Sequence, residues 1–294
     1  MKRVALIVLC LALVSPLQAW VGEGHQRATR LAVKLLPDEM PAFFRQGGEM
    51  LAHYSLDPDV VKRPELKTLI DAEYPEHFFD IEYLHGKTLP ETRTGYIWLC
   101  VKSKVSPNKA GYLPYAVTEY TQRLTVAFAE YRKWPGNPAI RQKCLYLAGV
   151  LAHYAQDLEM PLHLTVHYDG RVKKPGDRSP RSGIHLKVDR LIGNVEVTDR
   201  AVLKDLEPAA YGKLFDSVVA RIEANHKLVD RVYELEKHLP EDSRPIAGGT
   251  ALGRFAIDRL RGCTEFTANL YLTAWHDSKK IDLPEWHKRN DRHP

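Results

Sequence analysis

Residues 137–163 read NPAIRQKCLYLAGVLAHYAQDLEMPLH, and this stretch decides the fold. Asn137-Pro138 is a helix start. Apolar residues then recur at helical spacing through residue 157. His153 and Asp157 stand four apart, hence on one helix face. Pro161 ends the helix and His163 follows at once, so one segment offers ligands in two directions.

The same periodicity dominates on both sides. Residues 24–37, GHQRATRLAVKLLP, are a helix ending at a proline, and 39–54 carry a shorter pattern. Residues 111–133, GYLPYAVTEYTQRLTVAFAEYRK, form a long amphipathic helix. Further helical patterns cover 184–194, 206–237 and 250–276. The only alternating, strand-like run is IGNVEVTDRAVL, residues 192–203. Residues 168–183, YDGRVKKPGDRSPRSG, are Gly/Pro-rich and basic and read as a loop. The fold class is therefore all-α, with a single helical domain over residues 20–276. The polar tail, 277–294, is expected to dock loosely or be disordered.

At the other end, Lys2 and Arg3, an apolar stretch over 4–14 and Leu17-Gln18-Ala19 have the order of a secretory signal peptide over residues 1–19. That predicts export to the periplasm or outside the cell. No later stretch holds about 18–20 uninterrupted apolar residues. Removal leaves about 275 residues, enough for one large domain. Lys2 and Arg3 supply two of the formal net charge of +5, so the remaining excess is mild and compatible with an anionic substrate. Cys100, Cys144 and Cys263 lie beyond the leader. In an oxidising compartment a Cys100–Cys263 bridge is expected, with Cys144 left free in its apolar run. No stable protein partner is implied, so the expected state is a monomer.

With few cysteines and 13 histidines, a metal site in this chain would be built from nitrogen and oxygen. Besides His153, Asp157 and His163, GIHLKVD offers His185 and Asp189, YPEHFFD offers His77 and Asp80, and SLDPD offers Asp57 and Asp59. Cleavage after Ala19 would leave Trp20 with a free amine beside a carbonyl, a chelating pair, with His25 five residues on. The spacing alone does not make a site. A His four before an Asp recurs at His238/Asp242 and His287/Asp291, outside any cluster, and such a pair is more often a hydrogen-bonded core pair. The donor chemistry is coherent all the same: imidazole plus carboxylate suits hydrolytic zinc.

Taken together, these motifs resemble the zinc-dependent phosphodiesterase superfamily, which joins single-strand-specific nucleases of the S-one/P-one type to bacterial zinc-dependent phospholipases C. Trp20, His25, Asp59, His77, His153, Asp157, His163, His185 and Asp189 match that family's metal positions in order over residues 20–189. The resemblance implies three zinc ions: one on Asp59, His77, His153 and Asp157, a close neighbour on Trp20, His25 and Asp157, and a third on His163, His185 and Asp189. Asp59 is preferred to Asp57 because Lys62 completes the family's pattern after it. The stretch after Asp189 carries no motif.

Three features place the chain on the nuclease side: the short Trp20-to-His25 interval, the long His163-to-His185 interval, and Asp rather than Glu as the last ligand. Two depart from it. The Gly-Gly-Asn stretch of the nucleases is replaced by the basic loop, and Val188 stands where they have Trp. The expected activity is hydrolysis of single-stranded DNA or RNA, with 3′-nucleotides as a further substrate. Phosphatidylcholine hydrolysis is the alternative, and an inert zinc-binding protein a third. By the resemblance, Asp59 assists the attacking water and Lys62 neutralises the phosphoryl group. Asp80 and Phe78 would contact a base, and Phe79 is a second stacking candidate set against core packing. Arg171, Lys173 and Lys174, with Arg178 and Arg181, would rim the site, or form an ordinary solvated loop. The remaining histidines receive no role. An α-amine has a pKa near about 8, whereas a peptide nitrogen binds metal poorly. A form with extra residues left before Trp20 is therefore expected to lose most activity and one zinc, measured against a form beginning at Trp20.

Overall fold

In the computed structural model the described residues are 22–290. The expected leader and Trp20 lie outside them. The order runs α1 (Glu23–Leu35), α2 (Gly48–Tyr54), α3 (Asp57–Val60), α4 (Leu113–Lys133), α5 (Pro138–Leu158), α6 (Ile184–Asp189), α7 (Leu214–His226) and α8 (Ala251–Asp277), with shorter helical turns between them. Among the described residues no helix is long and apolar enough to cross a membrane.

Helix α5 is the axis. Asn137 caps it, its side chain accepting from the backbone N–H of Ala139 and Ile140 at 3.0 and 3.2 Å, and Pro138 fills the first turn. From Ala148 to Leu158 every residue is buried, because α1, α2, α4 and α8 all pack against it. A helix enclosed on all sides has no polar face to spare. Burying Leu151 and Leu158 stabilises the fold by about 1.5–3 kcal/mol each, and His153, Gln156 and Asp157 sit among them. After Leu158 the chain turns through Pro161–Leu164, with the Leu162 N–H donating to Met160 Sδ. Leu158 and Leu164 belong to the larger apolar cluster, Met160 and Leu162 to a smaller one under α6 and α8. His163 thus lies where the two cores meet.

The expected long helices appear close to their expected bounds, but two runs break. The 39–54 pattern splits into Ala42–Arg45 and Gly48–Tyr54 around Gln46-Gly47, where glycine is a poor helix former. Of 206–237, residues 206–213 are not helical; Pro208 lies there, and Ala209 and Tyr211 donate backbone N–H bonds to Asn269 and Thr273 of α8. The strand-like run contributes only Val195–Glu196, paired in parallel with Ile246–Ala247.

Two further expectations are corrected. Cys100, Cys144 and Cys263 are all free and buried. Cys100 packs in the larger core and Cys263 in the smaller one, so the expected bridge has no geometry to form. The tail is tied down as far as residue 290. His287 contacts buried Glu130 at 2.6 Å, and the Asn137 side chain donates to the Asn290 carbonyl at 2.6 Å.

One glycine sets the spacing that the site needs. A Cβ on Gly149 would lie 2.3 Å from Tyr54 Cβ and 2.9 Å from the Leu51 carbonyl oxygen. Its absence lets α2 approach α5 closely enough for the Ser55 carbonyl to meet His153 Nδ1 at 2.8 Å. Gly149→Ala is expected to destabilise the protein by about 1–3 kcal/mol, read as a lower Tm in thermal unfolding.

Candidate metal centre

Six segments deliver the site. α1 brings His25, α3 brings Asp59, the turn Tyr74–His77 brings His77, α5 brings His153 and Asp157, and the Pro161–Leu164 turn with α6 brings His163, His185 and Asp189. Their donor atoms form three groups that could hold a metal ion: His25, His153 and Asp157; Asp59, His77 and His153; and His163, His185 and Asp189. Within each group the donor atoms lie within 4.8 Å of one another.

Asp157 stands between them. Its Oδ2 is 2.9 Å from His77 Nδ1 and 3.3 Å from His153 Nε2, while its Oδ1 is 3.6 Å from His25 Nε2 and 3.4 Å from His163 Nδ1. One carboxylate therefore faces two sides, although His153 is the residue common to the two inner groups. Asp59 Oδ1 lies 3.9 Å from His77 Nδ1 and 3.7 Å from His153 Nε2. The outer group is closed by Asp189, whose oxygens are 3.3 Å from His185 Nε2 and 3.9 Å from His163 Nε2. Asp57 falls in none of the three groups.

The fit to a cation rests on unmet polar atoms. A buried donor or acceptor without a partner costs about 1–3 kcal/mol, so such atoms are rare. Among the described residues twelve such atoms occur, and five with no charged neighbour outside the set belong to it: His25 Nε2, Asp157 Oδ1, His163 Nδ1 and both oxygens of Asp189. Asp59 Oδ1 faces Lys62 Nζ, and His77 Nε2 faces Glu73 Oε1 at 3.4 Å. The concentration of the five in one patch fits donors arranged to surround a cation. The nitrogens turned away are held instead. His25 Nδ1 meets Gln156 Oε1 at 2.8 Å, and Gln156 in turn donates to Thr29. The Ser55 carbonyl fixes His153, and the Tyr168 carbonyl lies 3.3 Å from His185 Nδ1. Such outer contacts fix ring orientation and tautomer.

Burial sets the electrostatics. It holds His25 and His163 down at about 3 and His185 at about 4, so all three are neutral at pH 7, the form that binds metal. Burial alone would raise Asp157, but His153 and His163 outweigh it and hold the carboxyl well below its usual range. Asp189 goes the other way: burial, with the charges of Asp157 and Asp59 adding, pushes it well up. Lys62 Nζ sits 2.5 Å from Asp59 Oδ1.

Above the patch opens a cleft of about 430 Å³, with His77, His163 and His185 in its lining. Lys62, Phe78 and Asp80 also line it. Phe79 points away into the core against Tyr96, its ring centroid 6.0 Å distant. The basic loop divides. Arg178 and Arg181 line the cleft, whereas Arg171 turns to Asp230 at 2.6 Å and to the Tyr233 ring, and Lys173 and Lys174 are absent from the lining. Sequence reading missed Asp169, which anchors this loop. Its Oδ1 accepts from the Gly183 N–H at 2.7 Å, and its carbonyl accepts from Ser179 and Ser182. Tyr74, Tyr83 and Lys109, also unremarked in sequence, complete the walls.

No protein-family model matches the chain, and a search of curated proteins finds no match.

Two outcomes follow. His153→Ala is expected to strip metal from both inner groups, while His185→Ala empties only the outer one, as metal content per chain would show. Equal loss in both variants would contradict the division. In the metal-free protein, His25, His163 and His185 should stay neutral from about pH 8 to about pH 5 by NMR titration. Because these values are depressed from 6.5, protons favour the unfolded chain below that pH. The contribution of these rings to stability therefore falls as pH drops from about 6.5 towards about 4.

Proposed function

We propose that the protein is a zinc-dependent phosphodiesterase that cleaves single-stranded DNA or RNA. One observation carries this reading: imidazoles and carboxylates from six segments converge, with unmet buried atoms, beneath a cleft walled by basic and aromatic side chains. The donors are nitrogen and oxygen only, the set that suits hydrolytic zinc. His25, Asp59, His77, His153 and Asp157 would hold an inner pair, with Trp20 completing it, and His163, His185 and Asp189 a third ion. When bound, zinc supplies Lewis acidity and lowers the pKa of water to about 7.

The chain's own groups account for the rest. Asp59 accepts a hydrogen bond from the attacking water and orients it towards phosphorus. Lys62, held on Asp59 and facing the cleft, carries the positive charge that a phosphoryl group needs; it is a point charge without the fork of an arginine. Arg178 and Arg181 give the cleft an anion-attracting rim. Phe78 offers a ring face for a base. Burial, with Glu82 adding, raises Asp80 well above the usual carboxylate range, and its side chain lines the cleft beside Phe78. Aromatic rings suit a choline cation as well as a base, but Lys62, Lys109, Arg178 and Arg181 in the lining favour a polyanionic strand over a cationic headgroup.

Purified protein is expected to hydrolyse single-stranded DNA or RNA, to leave phosphatidylcholine intact, and to lose activity to a chelator. Activity indifferent to chelator would sink the metal mechanism, and phosphatidylcholine as the sole substrate would reassign the enzyme. Lys62→Ala is expected to lower kcat roughly a hundredfold with metal content unchanged.

A further inference from the structure

A second concavity of about 510 Å³ adjoins the cleft. It runs between the short helices Lys67–Glu73 and Pro107–Ala110 and shares Tyr74, Asn108 and Lys109 with the cleft lining. The two spaces are therefore neighbours across one shared wall. The floor is rigid. The backbone N–H of Tyr112 donates to the Pro75 carbonyl at 2.6 Å, and that of Asp80 to Ala110 at 2.8 Å.

The groove face is set by helical spacing. Lys67, Ile70, Asp71 and Tyr74 fall three or four residues apart, so they share one side of their helix, and all four line the groove. That helix buries none of its residues. Tyr74 stays 45% exposed although its ring packs edge-on against Phe78 at 5.6 Å. An exposed ring, an apolar Ile70 and a lysine at either end form a surface of alternating stacking and charge, with Asp71 able to accept from a sugar hydroxyl or base amine. A polymer lying over the metal patch must leave the cleft, and this wall is where a basic, aromatic path continues.

We propose that this groove is a subsite for the substrate strand beyond the cleft: a nucleotide unit whose base stacks on Tyr74 and whose phosphate meets Lys67 and Lys109. The inference rests on the nucleic-acid reading of the cleft. It makes the protein a binder of oligomers, with affinity that grows with strand length.

The test measures Kd for uncleavable phosphorothioate single strands, a dinucleotide and a hexanucleotide, on the metal-loaded protein. The intact protein is expected to bind the hexanucleotide about tenfold more tightly, or about 1.4 kcal/mol. Lys67→Ala and Ile70→Glu, which alter the groove alone, should remove most of that advantage and leave dinucleotide affinity unchanged. Tyr74→Ala should weaken hexanucleotide binding, and Tyr74→Phe should restore it. If the intact protein prefers the hexanucleotide and the groove variants keep that preference in full, the subsite is overturned while the cleft reading stands. If the intact protein binds neither strand, the nucleic-acid reading itself fails.

Discussion

The fully buried carboxylate of Asp157 organises this protein. An isolated ionised group inside a protein is strongly unfavourable, and Asp157 is 0% exposed. Its two oxygens are met from four sides by His77, His153, His25 and His163. Each of those rings arrives on a different element or a different part of α5. The fold therefore has to close around a polar centre, and its apolar residues are arranged to do so. α5 is wrapped on all sides, Gly149 lets α2 come close, and the turn at Pro161 swings His163 back under the same carboxylate.

Much of this was legible in sequence, for a physical reason. Long helices announce themselves by period, and α1, α4, α5 and α8 lie close to the runs read from sequence, with Asn137-Pro138 opening α5. Ligand spacing was legible too, because His153/Asp157 and His185/Asp189 each lie on one helix face by geometry alone. What stayed hidden depends on partners far along the chain. The Ser55 carbonyl, Gln156 and Asp169 act on histidines only after tertiary closure, and nothing in their local sequence marks them. The failed Cys100–Cys263 bridge and the docked tail are the same lesson. Cysteine count and tail polarity carry no information about which core or which buried Glu130 a residue will meet.

The basic loop shows how coarse a composition signal is. Five cations lie between His163 and His185, yet Arg178 and Arg181 alone among them line the cleft, and Arg171 is drawn to Asp230 and Tyr233. Asp169 decides this by pinning the loop at both ends. The cleft gains its other walls from Tyr74, Tyr83 and Lys109, residues with no motif of their own. The walls of the cleft thus come from tertiary neighbours, while the donor groups that could hold cations come from spacing written in the sequence.

The central claim is that the buried patch around Asp157 is a metal centre. X-ray diffraction collected on both sides of the zinc absorption edge tests it directly. The account predicts anomalous peaks flanking Asp157 on both carboxylate sides and a further peak among His163, His185 and Asp189, each at about 2.0–2.2 Å from its nitrogen and oxygen ligands. A well-ordered patch with waters hydrogen-bonded to those orphaned atoms, and no anomalous signal after zinc is supplied, would contradict it.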